Sequence, residues 1–176
     1  ATEIEGHPDN VAACLLGGFT TAWTENGAAR AIRLEPAPSV VPVVFIPSAP
    51  VPTTTARGML PRSVPHVDAA ANAGRAALLV EALTRRPDLL LPATEDRIHQ
   101  EYRAPAMPES MELLTALRAE GVPAVISGAG PTVLAFADDS TADKIVHMAD
   151  NMPDNAWEAH RLEIDFAGAG VLPLET

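Results

Sequence analysis

The sequence predicts an α+β protein in which helices cover one face of an antiparallel sheet. Segments with apolar residues at helical spacing interleave with short β-branched runs, without the strict alternation of a parallel α/β fold. Hydrophobic residues make up 47% of the 176 residues and charged residues 20%, which is the composition of a globular protein with a buried core. A chain of this length forms one domain, or one domain and part of a second.

The N-terminal part of the chain predicts a short helix, a hairpin and a buried strand. Asp9 or Asn10 would cap the helix, and two successive glycines would end it. An Asn-Gly pair between two β-rich runs is a strong signal for a tight turn. The predicted bounds are residues 11–16 for the helix, 19–24 and 29–34 for the hairpin strands, and 43–46 for the buried strand.

The remainder of the chain predicts further helices and a strand pair joined by a Gly-rich turn. An Ala-rich stretch with apolar residues at helical spacing predicts a long helix, and Gly121 would end a later one. The predicted helices cover residues 65–86, 109–120 and 141–151, together with a brief helix capped by residues 53–55 and ending at Leu60. The predicted strands cover residues 124–126, 132–136 and 159–166.

Charge and cysteine content exclude several functional classes. With 12 Lys and Arg against 23 Asp and Glu, the formal net charge is −11, which disfavours binding to nucleic acid or an anionic membrane. Cys14 is the single cysteine, so an intrachain disulfide is impossible and a cytoplasmic location is expected. No apolar run reaches the roughly 18 residues of a membrane span. A small phosphorylated ligand stays compatible with this charge, because its site needs few cations.

Residues 5–10 form the first candidate site. They read Glu-Gly-His-Pro-Asp-Asn and stand ahead of the first predicted helix. The N-terminus of a helix presents unpaired N–H groups, and His7, Asp9 and Asn10 add donors and acceptors for a small polar substrate. A simple helix cap would also explain Asp9, although capping alone does not account for the whole run.

Two arginines form the second candidate site. Arg57 follows Thr-Ala, and Arg103 lies within the run Glu-Tyr-Arg-Ala-Pro. A guanidinium makes a bidentate pair with a carboxylate or a phosphate, so two that converge would suit an amino-acid substrate. Each could instead be a solvated surface arginine, and the sequence does not show that they meet.

A Gly-rich segment at residues 127–132, which reads Ser-Gly-Ala-Gly-Pro-Thr, forms the third candidate site. Glycines there would let backbone N–H groups approach a ligand closely, as they do in phosphate-binding loops. A hairpin that uses glycine for its conformation alone would look the same. The sequence contains no Gly-Lys-Ser or Gly-Lys-Thr, so the segment is not a Walker loop.

Taken together in chain order, these motifs resemble the homoserine kinases of the GHMP kinase superfamily. The resemblance covers nearly the whole chain and rests on residues 5–12, 16–19, 55–57, 60–61, 102–105 and 127–132. The last motif is shared across the superfamily. The His-Pro-Asp-Asn run combined with the two arginines favours the homoserine kinases over the galactokinases and mevalonate kinases.

The resemblance implies the GHMP kinase fold. It predicts a C-terminal ferredoxin-like α/β sandwich at residues 37–176 and a remnant of the N-terminal ribosomal-S5-like domain at residues 1–36. It also implies transfer of the γ-phosphoryl group of ATP, with Mg²⁺, to the side-chain hydroxyl of L-homoserine on the way to threonine. A homodimer is expected from the same resemblance.

The resemblance further assigns roles on the substrate side of the site. Asp9 and Asn10 would hold the amino acid and its hydroxyl as the catalytic pair, with His7 beside them. Arg57 and Arg103 would clamp the substrate carboxylate. Phosphoryl transfer relies mainly on positioning and charge stabilisation, so Asp9 as a proton acceptor is one option and catalysis without a base is the other.

The nucleotide side of the implied site is incomplete in this sequence. The turn formed by Ser127, Gly128, Ala129 and Gly130 would support the phosphates of ATP. A Gly-Leu-Gly-Ser-Ser-Ala phosphate loop is absent, and the resemblance places that loop and the acidic Mg²⁺ ligand upstream of Ala1. The chain is therefore expected to be a fragment of such a kinase, inactive by itself.

Two alternatives stay open at this point. Another GHMP kinase acting on a different small alcohol would share the Gly-rich motif but place different residues around Asp9. A non-catalytic amino-acid-binding module on a ferredoxin-like sandwich would also fit the predicted elements.

Overall fold

The computed structural model describes residues 5–48, 58–151 and 157–170. The chain divides between two compact units. One unit draws on residues up to 36 and from 163 onward, and the other comprises residues 37–162. Within the described ranges, no helix is both long enough and apolar enough to cross a bilayer.

A helix and a β-hairpin make up the described N-terminal part of the first unit. Helix α1 spans Pro8–Leu16, strand β1 spans Phe19–Glu25 and strand β2 spans Ala28–Leu34. The two strands pair antiparallel along their whole length. Asn26 and Gly27 connect them with φ angles of 50° and 77°, which is the backbone that a two-residue type I′ turn requires. The turn predicted from the Asn-Gly pair is confirmed.

The start of α1 differs from the prediction. His7 is the N-cap residue, with extended backbone angles, and Pro8 occupies the first helical position. Proline suits that position because its fixed φ is helical and it has no N–H group to leave unpaired. Asp9 and Asn10 therefore lie inside the first turn, and the prediction that either of them caps the helix is wrong. Instead, Oδ1 of Asp9 accepts a hydrogen bond of 2.9 Å from the backbone N–H of Asn10.

The second unit is built on a four-stranded antiparallel sheet. Its strands are β3 (Val41–Pro47), β4 (Ala124–Ile126), β5 (Val133–Ala137) and β6 (Trp157–Arg161). The spatial order is β4-β5-β3-β6, so the first strand in the chain lies between the third and the fourth. All neighbouring strands pair antiparallel, which confirms the predicted sheet.

The last strand is shorter and begins earlier than the predicted residues 159–166. It ends at Arg161, and the next residue still donates its backbone N–H to the carbonyl of Pro42 at 2.9 Å. The following residues belong to the first unit, where the carbonyl of Asp165 accepts a 2.7 Å hydrogen bond from the N–H of Gly18. The local pattern of β-branched residues does not predict this pairing between residues far apart in the chain.

The helices of the second unit follow the predicted order. They are α2 (His66–Thr84), α3 (Leu90–Ala93), α4 (Gln100–Arg103), α5 (Pro108–Ala119) and α6 (Ala142–Val146), with 3₁₀ turns at Pro87–Leu89, Ala104–Ala106 and His147–Asn151. The long helix and the helix before Gly121 are confirmed within a few residues. The predicted helix at 141–151 is divided into α6 and a 3₁₀ turn. The brief helix predicted to end at Leu60 falls mostly outside the described residues.

The core of the second unit lies between its sheet and the helices α5 and α6. Along β3, Val43 and Phe45 are fully buried, whereas Ile46 on the opposite face is 42% exposed. Leu113 and Leu117 of α5 belong to the same buried cluster. Burial of each such side chain contributes about 1.5–3 kcal/mol. The alternating burial agrees with the predicted arrangement of helices on one face of the sheet.

Candidate functional site

The Gly-rich turn at residues 127–132 connects β4 to β5, where the sequence predicts it. The N–H of Ser127 donates to the carbonyl of Thr132 at 2.8 Å, and the N–H of Gly130 donates to the carbonyl of Ser127 at 2.9 Å. Gly128 and Gly130 have φ angles of 59° and 81°, which glycine adopts without strain. The turn is therefore closed by its own backbone hydrogen bonds.

The two glycines of the turn have different surroundings. A Cβ atom on Gly130 would lie 2.6 Å from Sδ of Met107 and 2.9 Å from Cγ2 of Ile126, so no side chain fits there without movement. A Cβ atom on Gly128 would meet no atom within 4 Å. Gly130 thus packs against the core, while the backbone at Gly128 is open to the approach of a ligand.

Arg103 contacts this turn directly. It lies at the end of α4, and its Nη1 donates to the carbonyl of Gly128 at 2.9 Å. Its Nε atom is buried and has no hydrogen-bond partner among the described residues. Buried polar atoms normally have a partner, so this guanidinium has hydrogen-bonding capacity left for an anionic ligand. The structure brings together Arg103 and the Gly-rich turn, which the sequence could not place relative to each other.

Two further residues contact the turn, and sequence reasoning missed both. Oε1 of Gln100 accepts a hydrogen bond of 2.6 Å from the N–H of Ile126, immediately before the turn. The hydroxyl of Ser110 donates to the carbonyl of Pro131 at 2.7 Å, next to the cis peptide bond between Gly130 and Pro131. In the sequence, two features could have indicated these contacts. Gln100 lies one helical turn before Arg103, and Ser110 is a serine on the apolar face of α5.

Asp96 fixes the beginning of α4, which carries Gln100 and Arg103. Its Oδ2 accepts hydrogen bonds from the N–H groups of His99 and Gln100, at 2.8 and 2.7 Å, and Nδ2 of Asn72 donates to its Oδ1 at 3.1 Å. Partial burial acts to raise the pKa of Asp96, but the hydrogen bonds from Gln100, His99 and Asn72 together outweigh it and lower that pKa. The ionised carboxylate therefore caps the segment that reaches the turn.

The predicted substrate residues fall into two groups. His7, Asp9 and Asn10 lie exposed at the start of α1, in the first unit. Arg103 and the Gly-rich turn belong to the second unit. Arg57 lies outside the described residues. Across the three described ranges, no group of three or more His, Cys, Asp or Glu side chains is arranged to hold a metal ion.

Comparison with known proteins connects this geometry to a family. The family described as GHMP kinases C terminal matches residues 69–155. The chain is 75% identical over 174 residues to a homoserine kinase of Streptomyces avermitilis and 73% identical over 176 residues to one of Streptomyces coelicolor. These alignments cover 99% and 100% of the chain, but 56% of each relative. The chain therefore spans little more than half the length of the curated relatives it matches.

Solved structures show the same fold. A structure assigned as a homoserine kinase from Listeria monocytogenes aligns with a TM-score of 0.72 and 26% identity, over 98% of this chain and 58% of that one. The homoserine kinase of Cytophaga hutchinsonii aligns with a TM-score of 0.76 over 90% of this chain and 52% of that one, at 23% identity. The chain is thus a homologue of the homoserine kinases, and its residues 69–155 match the C-terminal domain of the GHMP kinases.

Proposed function

We propose that this chain is part of a homoserine kinase, which transfers the γ-phosphoryl group of ATP to the hydroxyl of L-homoserine and yields O-phospho-L-homoserine for threonine biosynthesis. The observation that carries the proposal is 75% identity to a homoserine kinase over 99% of the chain. Because the chain covers 56% of that relative, we assign the activity to a protein of the relatives' full length.

The second unit supplies the anion-binding features of the proposed site. The guanidinium of Arg103 stands beside the open backbone at Gly128, and its buried Nε has no partner among the described residues. A cation next to an accessible Gly-rich turn suits a carboxylate or a phosphate. We assign Arg103, and with it Arg57, to the homoserine carboxylate, and residues 127–130 to the nucleotide phosphates.

The family resemblance assigns further substrate residues at the start of α1, in the first unit. Asp9 and Asn10 are assigned to the substrate amino acid and its hydroxyl, with His7 next to them at the N-cap. In the transfer, the hydroxyl oxygen forms a bond to the γ-phosphorus and the bond from that phosphorus to the bridging oxygen of ADP breaks. The hydroxyl proton passes to Asp9 or to solvent, since positioning supplies most of the catalysis.

The cofactor of the proposed reaction is ATP with Mg²⁺. When bound, Mg²⁺ neutralises charge on the β- and γ-phosphate oxygens. The open backbone at Gly128 fits a phosphate, and we propose that the carboxylate ligand of Mg²⁺ lies upstream of Ala1 in a protein of full length. We also propose residues 1–36 and 37–176 as the two domain portions in chain order, with residues 163–170 returning to the first compact unit. A cytoplasmic location and a homodimer are proposed as well, and light scattering of the full-length protein would detect the dimer.

The decisive experiment is a substrate comparison. The chain, extended to the full length of its relatives, is assayed for ADP release with L-homoserine, mevalonate and galactose as acceptors. Homoserine should be phosphorylated with the highest kcat/KM. Preference for mevalonate or galactose would identify another GHMP kinase, and amino-acid binding without turnover would indicate a non-catalytic module.

A further inference from the structure

We propose that Gln100 and Ser110 are positioning residues, which hold the two ends of the Gly-rich turn in the conformation that receives the nucleotide phosphates. This inference rests on the proposed function for its ligand. Neither residue is assigned to a substrate, and both contact the backbone that flanks the turn. Together with Arg103 and Met107, which lie between them in the chain, they form what we call the turn support.

Gln100 holds the leading end of the turn. Its Oε1 accepts the N–H of Ile126 at 2.6 Å, across 26 residues of chain. The backbone of Gln100 is itself fixed, because its N–H donates to the carboxylate of Asp96 at 2.7 Å. This backbone hydrogen bond fixes the position from which the side chain of Gln100 reaches Ile126.

Ser110 holds the trailing end. Its side chain is 2% exposed, and its hydroxyl donates to the carbonyl of Pro131 at 2.7 Å. Ser110 lies in α5, the same helix that contributes Leu113 and Leu117 to the core. The hydrogen bond therefore joins the turn to a helix that packs against the core, and without it the carbonyl of Pro131 loses its buried donor.

The middle of the turn is contacted from the same segment. Arg103 binds the carbonyl of Gly128, and the side chain of Met107 occupies the space where a Cβ atom of Gly130 would lie. Met107 is 3% exposed, so it is part of the core. Four side chains of this chain thus contact the turn and its two ends at successive points. Such preorganisation reduces the ordering cost of binding.

The kinetic test uses variants of the full-length protein. Gln100→Leu and Ser110→Ala should each raise the KM for ATP about fivefold, the factor expected when one typical net hydrogen bond is lost, with less change in the KM for homoserine. Gln100→Glu keeps an acceptor for Ile126, so its KM for ATP should lie below that of Gln100→Leu, although the added negative charge opposes phosphate binding and keeps the KM above that of the wild type. Glu101→Ala and Thr115→Val, which alter exposed neighbours on α4 and α5, should behave as the wild type.

A second measurement does not depend on activity. In the 176-residue chain, backbone amide exchange at Ser127 and Gly130, whose N–H groups close the turn, should be faster in Gln100→Leu and Ser110→Ala than in the wild type or in either control. Equal exchange in all five proteins would overturn the proposal, as would equal increases in both KM values. If the full-length protein phosphorylates no homoserine but the exchange pattern holds, the proposed function fails while the turn support stands.

Discussion

Arg103, which we assign to the homoserine carboxylate, also contacts the turn that we assign to the nucleotide phosphates. It bonds the Gly-rich turn through Nη1 and keeps a buried Nε–H without a partner among the described residues. A guanidinium that already holds the turn, and still has donors to offer, suits a substrate carboxylate that must lie near the nucleotide. We therefore expect removal of this side chain to weaken the binding of the proposed substrate.

We predict that Arg103→Ala in the full-length kinase raises the KM for homoserine about 10- to 150-fold, which corresponds to roughly 1.5–3 kcal/mol for a charge-assisted hydrogen bond. Steady-state kinetics with varied homoserine measures this. Arg85→Ala is the matched control, because Arg85 makes an exposed ion pair with Glu81 at 3.3 Å. Unchanged KM and kcat in Arg103→Ala would remove Arg103 from the site.

Gly128 and Gly130 provide a matched pair of substitutions. Both have positive φ angles, so alanine is strained at either position, by about 1 kcal/mol. Only at Gly130 would the new methyl group also collide with buried Met107. We predict that Gly130→Ala lowers the free energy of unfolding of the chain by about 2 kcal/mol or more, against about 1 kcal/mol for Gly128→Ala. Urea unfolding compares the two, and equal losses would contradict the close packing at Gly130.

Helix α4 is a single turn, so its position depends on contacts beyond its own hydrogen bonds. Asp96 accepts the N–H groups of His99 and Gln100, and the amide of Asn72 ties the same carboxylate to α2. The carboxylate of Asp96 therefore stabilises α4, which is too short to be stable through its own hydrogen bonds. We therefore expect the positions of Gln100 and Arg103, which lie on α4, to depend on the charge of Asp96.

The pH dependence of stability should reflect this arrangement. The pKa of Asp96 is lowered by its hydrogen bonds, against the opposing effect of burial, so it lies below the ordinary value of about 3.9. The stabilising contribution is therefore present above that value and is lost as the pH falls through the folded-state pKa. We predict that Asp96→Asn is less stable than the wild type at pH 7 and loses less stability on acidification.

Urea unfolding at pH 7, at about pH 4 and at about pH 2.5 tests this difference around the ordinary carboxyl pKa. Glu112→Gln serves as the control, since it neutralises an exposed carboxylate on α5. Its stability should follow the wild type closely at all three pH values. Parallel pH profiles for Asp96→Asn and the wild type would show that the carboxylate charge does not support α4.

Elements specified by neighbouring residues were predictable from the sequence. The β1–β2 hairpin was predictable, because Asn26 and Gly27 by themselves favour a tight turn. The contacts of Gln100 and Ser110 were not, because they span 26 and 21 residues and no periodic pattern encodes them. The helix cap at His7 was missed because the preference of proline for the first position outweighed the capping preference of Asp9.

At the scale of the whole molecule, the net charge of −11 makes the placement of cations informative. Among the described residues, most arginines pair with carboxylates, for example Arg75 with Glu95 at 2.8 Å and Arg86 with Asp88 at 2.7 Å. Arg103 and Arg118 instead bond backbone carbonyls, and among the described residues neither forms an ion pair with a carboxylate, but only Arg103 contacts the Gly-rich turn. An acidic protein can bind anions through such an isolated cation, since the site needs only local positive charge.

The last prediction concerns the 176 residues taken alone. They cover 56% of the homoserine kinases they match, and the Gly-Leu-Gly-Ser-Ser-Ala phosphate loop occurs nowhere in their sequence. Phosphoryl transfer depends on holding the γ-phosphate in line with the attacking hydroxyl, and the Gly-rich turn with Arg103 supplies only one side of that geometry. We therefore predict no homoserine-dependent ADP release from the chain by itself, measured in a coupled assay beside the full-length protein. Homoserine-dependent turnover by these residues alone would contradict this prediction and show that the chain itself contains a complete phosphate site.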